Sequence, residues 1–182
     1  LGTAAPPEPF KLFTTAGNRP VTAAPWAAVN QRDGRTWIFV GTGQYLNEDD
    51  RASLVTESWY GLIDDRSALN PGTTIGAREK SLVERSIIAT GTLSKRGART
   101  LDDGTENEVT ADGKRGWYID FSQAGERMIT PNSFYGNALI GTTFIPDGTD
   151  LCNPGGRSAL WGINPFTGGR LSKALFDFDR NG

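Results

Sequence analysis

The sequence predicts an all-β fold, a partial β-propeller with about three to four blades of a larger ring. Three observations indicate this class. Gly and Pro are frequent, 23 and 10 of 182 residues, which suits many tight turns between short strands. A Trp-centred segment occurs twice, and a Gly-Thr strand is twice followed by a similar partner. Blades of about 40–50 residues allow roughly four in this length.

The repeated segment begins at residue 116 and recurs from residue 160. In each copy an aromatic residue opens a short strand, which a Gly-containing turn follows. The matched positions are Trp117 with Trp161, Ile119 with Ile163, Asp120 with Asn164, and Gly125 with Gly169. We interpret both copies as framework of the blades, with aromatic side chains packing between sheets and Gly making the turn.

The second similarity is between two predicted pairs of strands. Val40-Gly41-Thr42 is followed, after a loop, by Tyr60-Gly61-Leu62, and Ile140-Gly141-Thr142 is followed by Trp161-Gly162-Ile163. Each unit predicts a strand, a surface loop and the next strand, as in the middle of a blade. The alternative is a chance similarity between β-rich segments.

In chain order, residues 1–19 hold several Pro among small residues, which predicts an extended N-terminal segment before the propeller part at 20–182. Pro25 cannot donate to a β-ladder, so the first strand is expected at a sheet edge. The other strands are predicted where β-branched and aromatic residues are frequent. The start of 81–93 is also compatible with a short helix. The predicted strands are 21–29, 36–43, 56–65, 81–93, 116–121, 127–131, 137–145 and 158–164.

Three polar segments with turn residues separate the strands and are predicted to be exposed loops: 44–56, 94–115 and 146–157. The segment 94–115 is either an exposed excursion or a long hairpin. Binding residues concentrate in such loops, so these are the candidate contact surfaces. The acidic run at 47–50 is interpreted as a solvated loop rather than a cation site. Glu126 and Arg127 suggest an ion pair within a strand, to which we assign a structural role.

The composition excludes several classes of function. There is no His, which removes the commonest general base, most zinc sites and the Ser-His and Cys-His nucleophile pairs. The net charge is −2 and no basic face is evident, so nucleic acid is not an expected partner. No apolar run reaches the ~18 residues of a membrane span. Cys152 cannot form an internal disulfide, and it is either a small buried residue or half of a bridge to chain outside this sequence.

The tail offers the clearest metal-binding pattern. Asp177, Asp179 and Asn181, followed by Gly182, match the first positions of a calcium loop, in which alternating oxygen side chains point inward and Gly permits the turn. Calcium needs six to eight oxygens, so these residues alone would bind it weakly. The prediction is a calcium site at these three residues, completed by chain beyond Gly182. The alternative is an ordinary polar turn.

An ordered set of motifs resembles the C-terminal propeller of the PilY/PilC family of type IV pilus tip-associated adhesins and assembly factors. The resemblance runs from Pro20 to Gly182. The motifs are residues 20–25, Phe39-Val40-Gly41-Thr42-Gly43-Gln44-Tyr45-Leu46, residues 57–64, Gly125-Glu126-Arg127, Thr142, residues 152–156 and 161–168. Each motif is weak alone, and their order makes the set specific.

The resemblance implies a non-enzymatic protein of the pilus tip or bacterial cell surface, secreted or outer-membrane associated. It also implies quinoprotein-like blades of antiparallel sheet, roles in pilus assembly, adhesion and twitching motility, and frequent use of calcium. The implied partners are the rest of the propeller or parent protein, pilins or minor pilins, and a host surface receptor. The chain is then expected to be a fragment of a longer protein.

Two alternatives stay open. One is a fragment of a quinone-dependent dehydrogenase propeller, since Trp117 and Trp161 stand in a similar strand-Gly context. A chain of 182 residues is too short to close such an eight-bladed ring. The other is a structural blade module of another secreted binding protein.

Overall fold

The computed structural model describes residues 9–66, 72–93, 96–147, 155–173 and 175, which form mainly β-strands. A short 3-10 helix lies at Ala16–Asn18, α1 at Glu48–Ala52 and α2 at Arg78–Ser81. The strands are β1 Trp26–Val29, β2 Thr36–Gly41, β3 Ser58–Asp64, β4 Val83–Arg85, β5 Ile87–Leu93, β6 Arg96–Leu101, β7 Gly116–Asp120, β8 Ser133–Tyr135, β9 Ala138–Asp147 and β10 Gly155–Ile163. The predicted all-β class is confirmed in this coarse sense.

The strands form three sheets. The largest has the order β1-β2-β3-β7-β4, and only the pair β4–β7 is parallel. A second sheet has the order β10-β9-β8, and β5 and β6 form a two-stranded hairpin. The described sheets do not close into a ring, so the propeller and its number of blades remain predictions.

Both strand pairs expected from the Gly-Thr similarity are present as antiparallel neighbours. In the first, Gly41 of β2 lies opposite Trp59 of β3. In the second, Gly141 of β9 lies opposite Trp161 of β10. A Cβ added at Gly141 would come within 2.9 Å of the Trp59 ring, so this glycine lets the two sheets approach each other.

Trp117 and Trp161 lie in different environments, and each contacts the segment that contains the other copy of the motif. Trp117 is fully buried in the middle of the large sheet, and its Nε1 donates to the carbonyl of Pro165, at 2.7 Å. Its indole ring covers Gly168, whose φ of 73° favours glycine and whose Cβ would lie 2.5 Å from the ring. The turn of the second copy therefore packs on the Trp of the first. The left-handed glycine of that turn is Gly168, not the predicted Gly169.

Most of the large apolar side chains between the sheets form one core. Trp59 and Trp117 meet edge to face with centroids 5.7 Å apart, and Phe39 meets Phe134 of β8 at 5.7 Å in the same manner. The core cluster comprises Trp37, Phe39, Trp59, Ile63, Leu101, Val109, Trp117, Ile119, Phe121, Met128, Leu139, Trp161 and Ile163. The predicted packing of aromatics between sheets is confirmed for these residues.

Several predicted boundaries are wrong. Residues 81–93 are not one strand: α2 ends at Ser81, β4 pairs with β7, and β5 turns away to form the hairpin with β6. Of 21–29, only Trp26–Val29 is a strand. Of 127–131, only an isolated bridge between Arg127 and Phe144 forms. Tertiary contacts decide these short segments, because their own residue preferences are weak.

Candidate functional site

The segment 44–56, which joins β2 to β3, is the best-defined exposed loop, and we call it the display loop. Its single helix, α1, begins with a capping box in which Asn47 Oδ1 accepts from the Asp50 amide and Asp50 Oδ2 accepts from the Asn47 amide. Asp50 also accepts from the amide of Leu46 at 2.7 Å and from Gln44 Nε2. These hydrogen bonds, that of Leu46 first, lower the pKa of the Asp50 carboxyl.

This geometry explains the acidic run. Asp50 is turned inward as a helix cap, while Glu48 and Asp49 are exposed in the first turn of α1. Carboxylates are favourable there because the helix N-terminus carries partial positive charge. Across the described ranges, no group of three or more His, Cys, Asp or Glu residues is placed to hold a metal ion.

Arg127 holds the display loop from inside the molecule. Its side chain is buried and donates to main-chain carbonyls only: to Gln44 at 2.9 Å, Asp50 at 2.5 Å, Ser53 at 2.9 Å and Gly125 at 2.9 Å. Burial lowers the pKa of Arg127 below its usual range, while nearby carboxylates oppose the shift. The carbonyl of Asp50 also accepts from the Ser53 amide, and Arg127 supplies the donor for the other three, so the loop acquires a defined shape without a sheet of its own.

The exposed surface of the display loop also carries apolar side chains. Leu46 and Leu54 are 77% and 71% exposed, and Val55 is partly exposed. Tyr45 is also partly exposed and meets Phe144 of β9 edge to face, with centroids 5.7 Å apart. Apolar side chains held in an ordered loop are available for contact with a partner, since the loop does not fold them inward.

Glu126 performs a different task from Arg127. It is fully buried, and its two carboxylate oxygens accept from Arg99 of β6 at 2.6 and 2.7 Å. Thr143 of β9 donates to Oε1 at 2.5 Å, and Trp161 Nε1 donates to the Thr143 hydroxyl at 3.1 Å. The guanidinium of Arg99 also lies over the Trp161 ring at 4.3 Å. This network holds the β5–β6 hairpin on the three-stranded sheet.

The suggested ion pair between Glu126 and Arg127 is therefore wrong, because Glu126 pairs with Arg99 and Arg127 binds carbonyls. The structural role predicted for both residues agrees with these contacts. Arg99 was missed because it lies in the polar segment 94–115, where spacing gives no sign of a buried partner. Arg99 lies two residues before Leu101, and in a strand this spacing places both side chains on the same face, which is the available sequence signal for its burial.

A second polar cluster lies on the large sheet between β3, β7 and α2. Ser58 Oγ donates to Asp120 Oδ1 at 2.5 Å, and Arg78 donates to both Asp120 oxygens at 2.6 and 2.9 Å. Arg78 also stacks over Tyr118 at 4.3 Å. Burial, followed by the hydrogen bond to Glu84, raises the pKa of Tyr118 to about 12. In this arrangement the Asp120 carboxylate is occupied by Arg78, and these contacts tie α2 to the sheet.

The remaining predicted site residues and loops lie elsewhere. Asp177, Asp179, Asn181 and Cys152 lie outside the described residues. The described ends of 146–157 are strand rather than loop, since Asp147 pairs with Gly155 and Ile145 with Arg157. Arg96–Leu101 of 94–115 forms β6 and pairs with β5, which agrees with the long hairpin predicted as one alternative for this segment.

The geometry defines a β-sheet domain that presents an ordered, partly apolar loop. No family model matches the chain. Its fold is that of a solved structure, the crystal structure of the Pseudomonas aeruginosa PilY1 C-terminal domain, with a TM-score of 0.71 and 23% identity over 94% of this chain and 36% of that chain.

Curated proteins match over a similar range. The Type IV pilus biogenesis factor PilY1 homolog of Xylella fastidiosa is 41% identical over 169 residues, which is 90% of this chain and 13% of that protein. The Type IV pilus biogenesis factor PilY1 of Pseudomonas aeruginosa strain UCBPP-PA14 is 28% identical over 187 residues, 90% of this chain and 16% of that protein. The chain is homologous to PilY1 type IV pilus biogenesis factors, which confirms the resemblance seen in the sequence.

The chain spans less than a fifth of the length of these curated relatives. Within the described part of the chain, no helix is long and apolar enough to cross a membrane.

Proposed function

We propose that this chain is part of a non-enzymatic type IV pilus biogenesis factor and acts as a binding module at the cell surface or pilus tip. The observation that carries the proposal is the display loop, whose carbonyls are held by Arg127 while Leu46 and Leu54 face solvent. Homology to PilY1 proteins supports the pilus context.

The chemistry of the display loop indicates what it would contact. Fully burying a Leu side chain contributes about 1.5–3 kcal/mol, so two exposed leucines can provide the centre of an interface. The exposed carboxylates of Glu48 and Asp49 belong to the same loop, on α1 between the two leucines in the sequence. A surface with an apolar centre and a basic rim complements this loop. We assign that surface to a pilin or minor pilin, and we propose a host surface receptor and the rest of the parent protein as further partners.

In this proposal the module supports pilus assembly, and through it adhesion and twitching motility. The calcium site at Asp177, Asp179 and Asn181 is a further part of the proposal. Its oxygens would supply part of a calcium shell, with the remaining ligands from chain beyond Gly182.

The test uses the parent gene in a deletion strain. The double variant Leu46→Asp/Leu54→Asp places charge in the proposed interface, so we expect loss of surface pilin in sheared fractions and loss of twitching zones. Leu160→Asp is the matched control, because Leu160 is 56% exposed on β10 in the other sheet.

The control is expected to behave as wild type. Normal piliation by the double variant, at normal protein level, would contradict the role of the display loop. Dye-linked oxidation of alcohols or sugars by the parent protein after addition of quinone and calcium would contradict the non-enzymatic assignment and favour the dehydrogenase alternative.

A further inference from the structure

The β5–β6 hairpin forms a sheet of its own, and one edge of β5 is free. Within the described ranges β5 pairs only with β6, so the main-chain groups along its other edge have no strand beside them. Residues 88–92 are all exposed, and the side chain of Ile88 is 60% exposed. The irregular register lies at the base of the hairpin, and 89–93 pairs regularly with 96–100. The hairpin contains no residue of the display loop, so a contact at this edge is independent of the proposed function.

The free edge of β5 lacks the features that prevent strands from pairing with another chain. Natural edge strands are kept short, carry charges, or contain Pro. Here β1, β4 and β8 have only three or four residues, and Pro25 precedes β1. The longer strands β6 and β10 carry Arg96, Arg99 and Arg157. β5 has seven residues with no charge and no Pro, so its edge is the least protected among the described strands.

The outer half of the hairpin has little support from the rest of the described structure. An isolated two-stranded ribbon is marginally stable in water, and three or more strands are needed for independent stability. The base is fixed, since Arg99 pairs with Glu126 and the Asp102 amide donates to the Ser86 carbonyl at 3.0 Å. Farther out, 90–92 of β5 and 96–97 of β6 are exposed. A strand added to β5 would therefore supply hydrogen bonds where the hairpin has the fewest contacts.

We propose that β5 pairs in antiparallel orientation with β5 of a second copy of this chain, so that two hairpins form one four-stranded sheet. The distribution of charge favours this occupant. Because β5 is uncharged, no charges oppose each other across the β5–β5 contact, and the arginines of both copies lie on the outer strands. A two-fold axis at Thr90 places this residue opposite its equivalent, and Thr–Thr pairs stabilise antiparallel strands. The same axis places Ile88 opposite Thr92 of the second copy.

The β5–β5 contact is small. One pair of seven-residue strands buries less than the ~1,200 Å² of a stable interface, so the dimer should be weak, with a Kd on the order of 0.1 mM. It would form where copies of the chain are held at high local concentration.

The test is sedimentation equilibrium of the 182-residue chain at about 10–1,000 µM. We expect a monomer–dimer equilibrium. Hydrogen exchange of the β5 amides should become slower as the concentration rises, while exchange in the display loop stays constant. Ala89→Lys places two lysines about 8 Å apart on one face of the contact, which is within the Debye length of about 8–10 Å, and should raise Kd at least about tenfold. Ala89 is exposed, so this variant should fold normally, which urea unfolding checks.

Thr100→Lys is the matched control, because Thr100 is exposed and lies directly opposite Ala89 on β6. Its two lysines are three strand spacings apart, about 14 Å, so Kd should change by less than about threefold. Equal weakening by both variants, or unchanged association of Ala89→Lys, would overturn the β5–β5 contact. A chain that stays monomeric over the whole range would overturn the second copy as the occupant. Slow exchange of the β5 amides in a monomeric parent protein would do the same, since it would assign this edge to another strand of that protein.

Discussion

Arg127 is the most informative single residue to change, because the display loop depends on it. We consider Arg127→Met, which keeps an unbranched apolar stem and removes all five donors. Two of its hydrogen bonds, to the carbonyls of Asp50 and Gly125, are buried, and those to Gln44 and Ser53 are partly exposed. The carbonyl of Gly125 loses its donor, at about 1–3 kcal/mol, whereas that of Asp50 keeps the Ser53 amide and the other two regain water.

The cost is reduced because a buried guanidinium is itself unfavourable, as the lowered pKa of Arg127 indicates. We therefore expect a loss of about 2 kcal/mol in the free energy of unfolding. For a chain of this length that corresponds to a fall of about 4–8 °C in Tm. Urea unfolding followed by Trp fluorescence measures the loss, and hydrogen exchange of amides in 44–56 measures the opening of the loop.

Arg51→Met is the matched control. Arg51 lies on α1 in the same loop but makes none of these four hydrogen bonds. The reasoning is refuted if both variants lose the same stability, or if Arg127→Met leaves the exchange of the loop amides unchanged.

Four other substitutions or additions probe particular contacts. Glu126→Gln breaks a buried ion pair and should cost about 3–5 kcal/mol in urea unfolding, with faster hydrogen exchange in β5 and β6. Gly168→Ala should lower Tm, because its φ of 73° and the indole ring packed on it leave no room for a Cβ. Burial raises the pKa of Glu57 above 4.5, so the folded state holds this proton more tightly than the unfolded state, and stability falls as pH rises through that window. Glu57→Gln should therefore be more stable relative to wild type at pH 7 than at pH 4. In a chain extended past Gly182, calcium should raise Tm, and Asp177→Asn/Asp179→Asn should abolish that rise.

Each of these has an outcome that contradicts it. Unchanged exchange in the hairpin of Glu126→Gln would remove the proposed role of that pair. Wild-type Tm in Gly168→Ala would mean that the turn accommodates a side chain. A constant stability difference between pH 4 and pH 7 would exclude a perturbed Glu57. Equal Tm with calcium and with chelator in the extended chain would count against the tail as a site.

The central strands could be predicted from the sequence because local preference and tertiary packing agree in them. Residues 36–40 are β-branched or aromatic, and β2 pairs with β3 along its whole length. Gly61, which follows Trp59 and Tyr60, allows close packing, since a Cβ there would overlap the Trp117 ring. In these strands the residue preferences, the strand pairing and the core packing all favour the same structure.

The division of 81–93 could not be predicted because it depends on distant residues. Arg85 is buried, pairs with Glu108 at 2.7 Å and donates to the carbonyl of Thr167 at 2.8 Å. Both partners are distant from Arg85 in the sequence, and the hydrophobic residues of 81–93 show no clear helix or strand period. The display loop was predicted as an exposed loop, but the residue that shapes it was not, because Arg127 lies more than seventy residues from Ser53 in the sequence.

The motif Gly125-Glu126-Arg127 combines these findings in three adjacent residues. Gly125 has a φ of 74°, and a Cβ there would lie 2.9 Å from the carbonyl of Ser53, the same carbonyl that Arg127 binds. Glycine thus lets the display loop approach, and Arg127 holds it. In extended backbone successive side chains point to opposite sides, which allows Glu126 to bind Arg99 of the hairpin while Arg127 serves the loop. This motif, one of those that carry the family resemblance, therefore joins the display loop and the hairpin to the bridge between Arg127 and Phe144. These contacts give a physical reason for its three consecutive residue types.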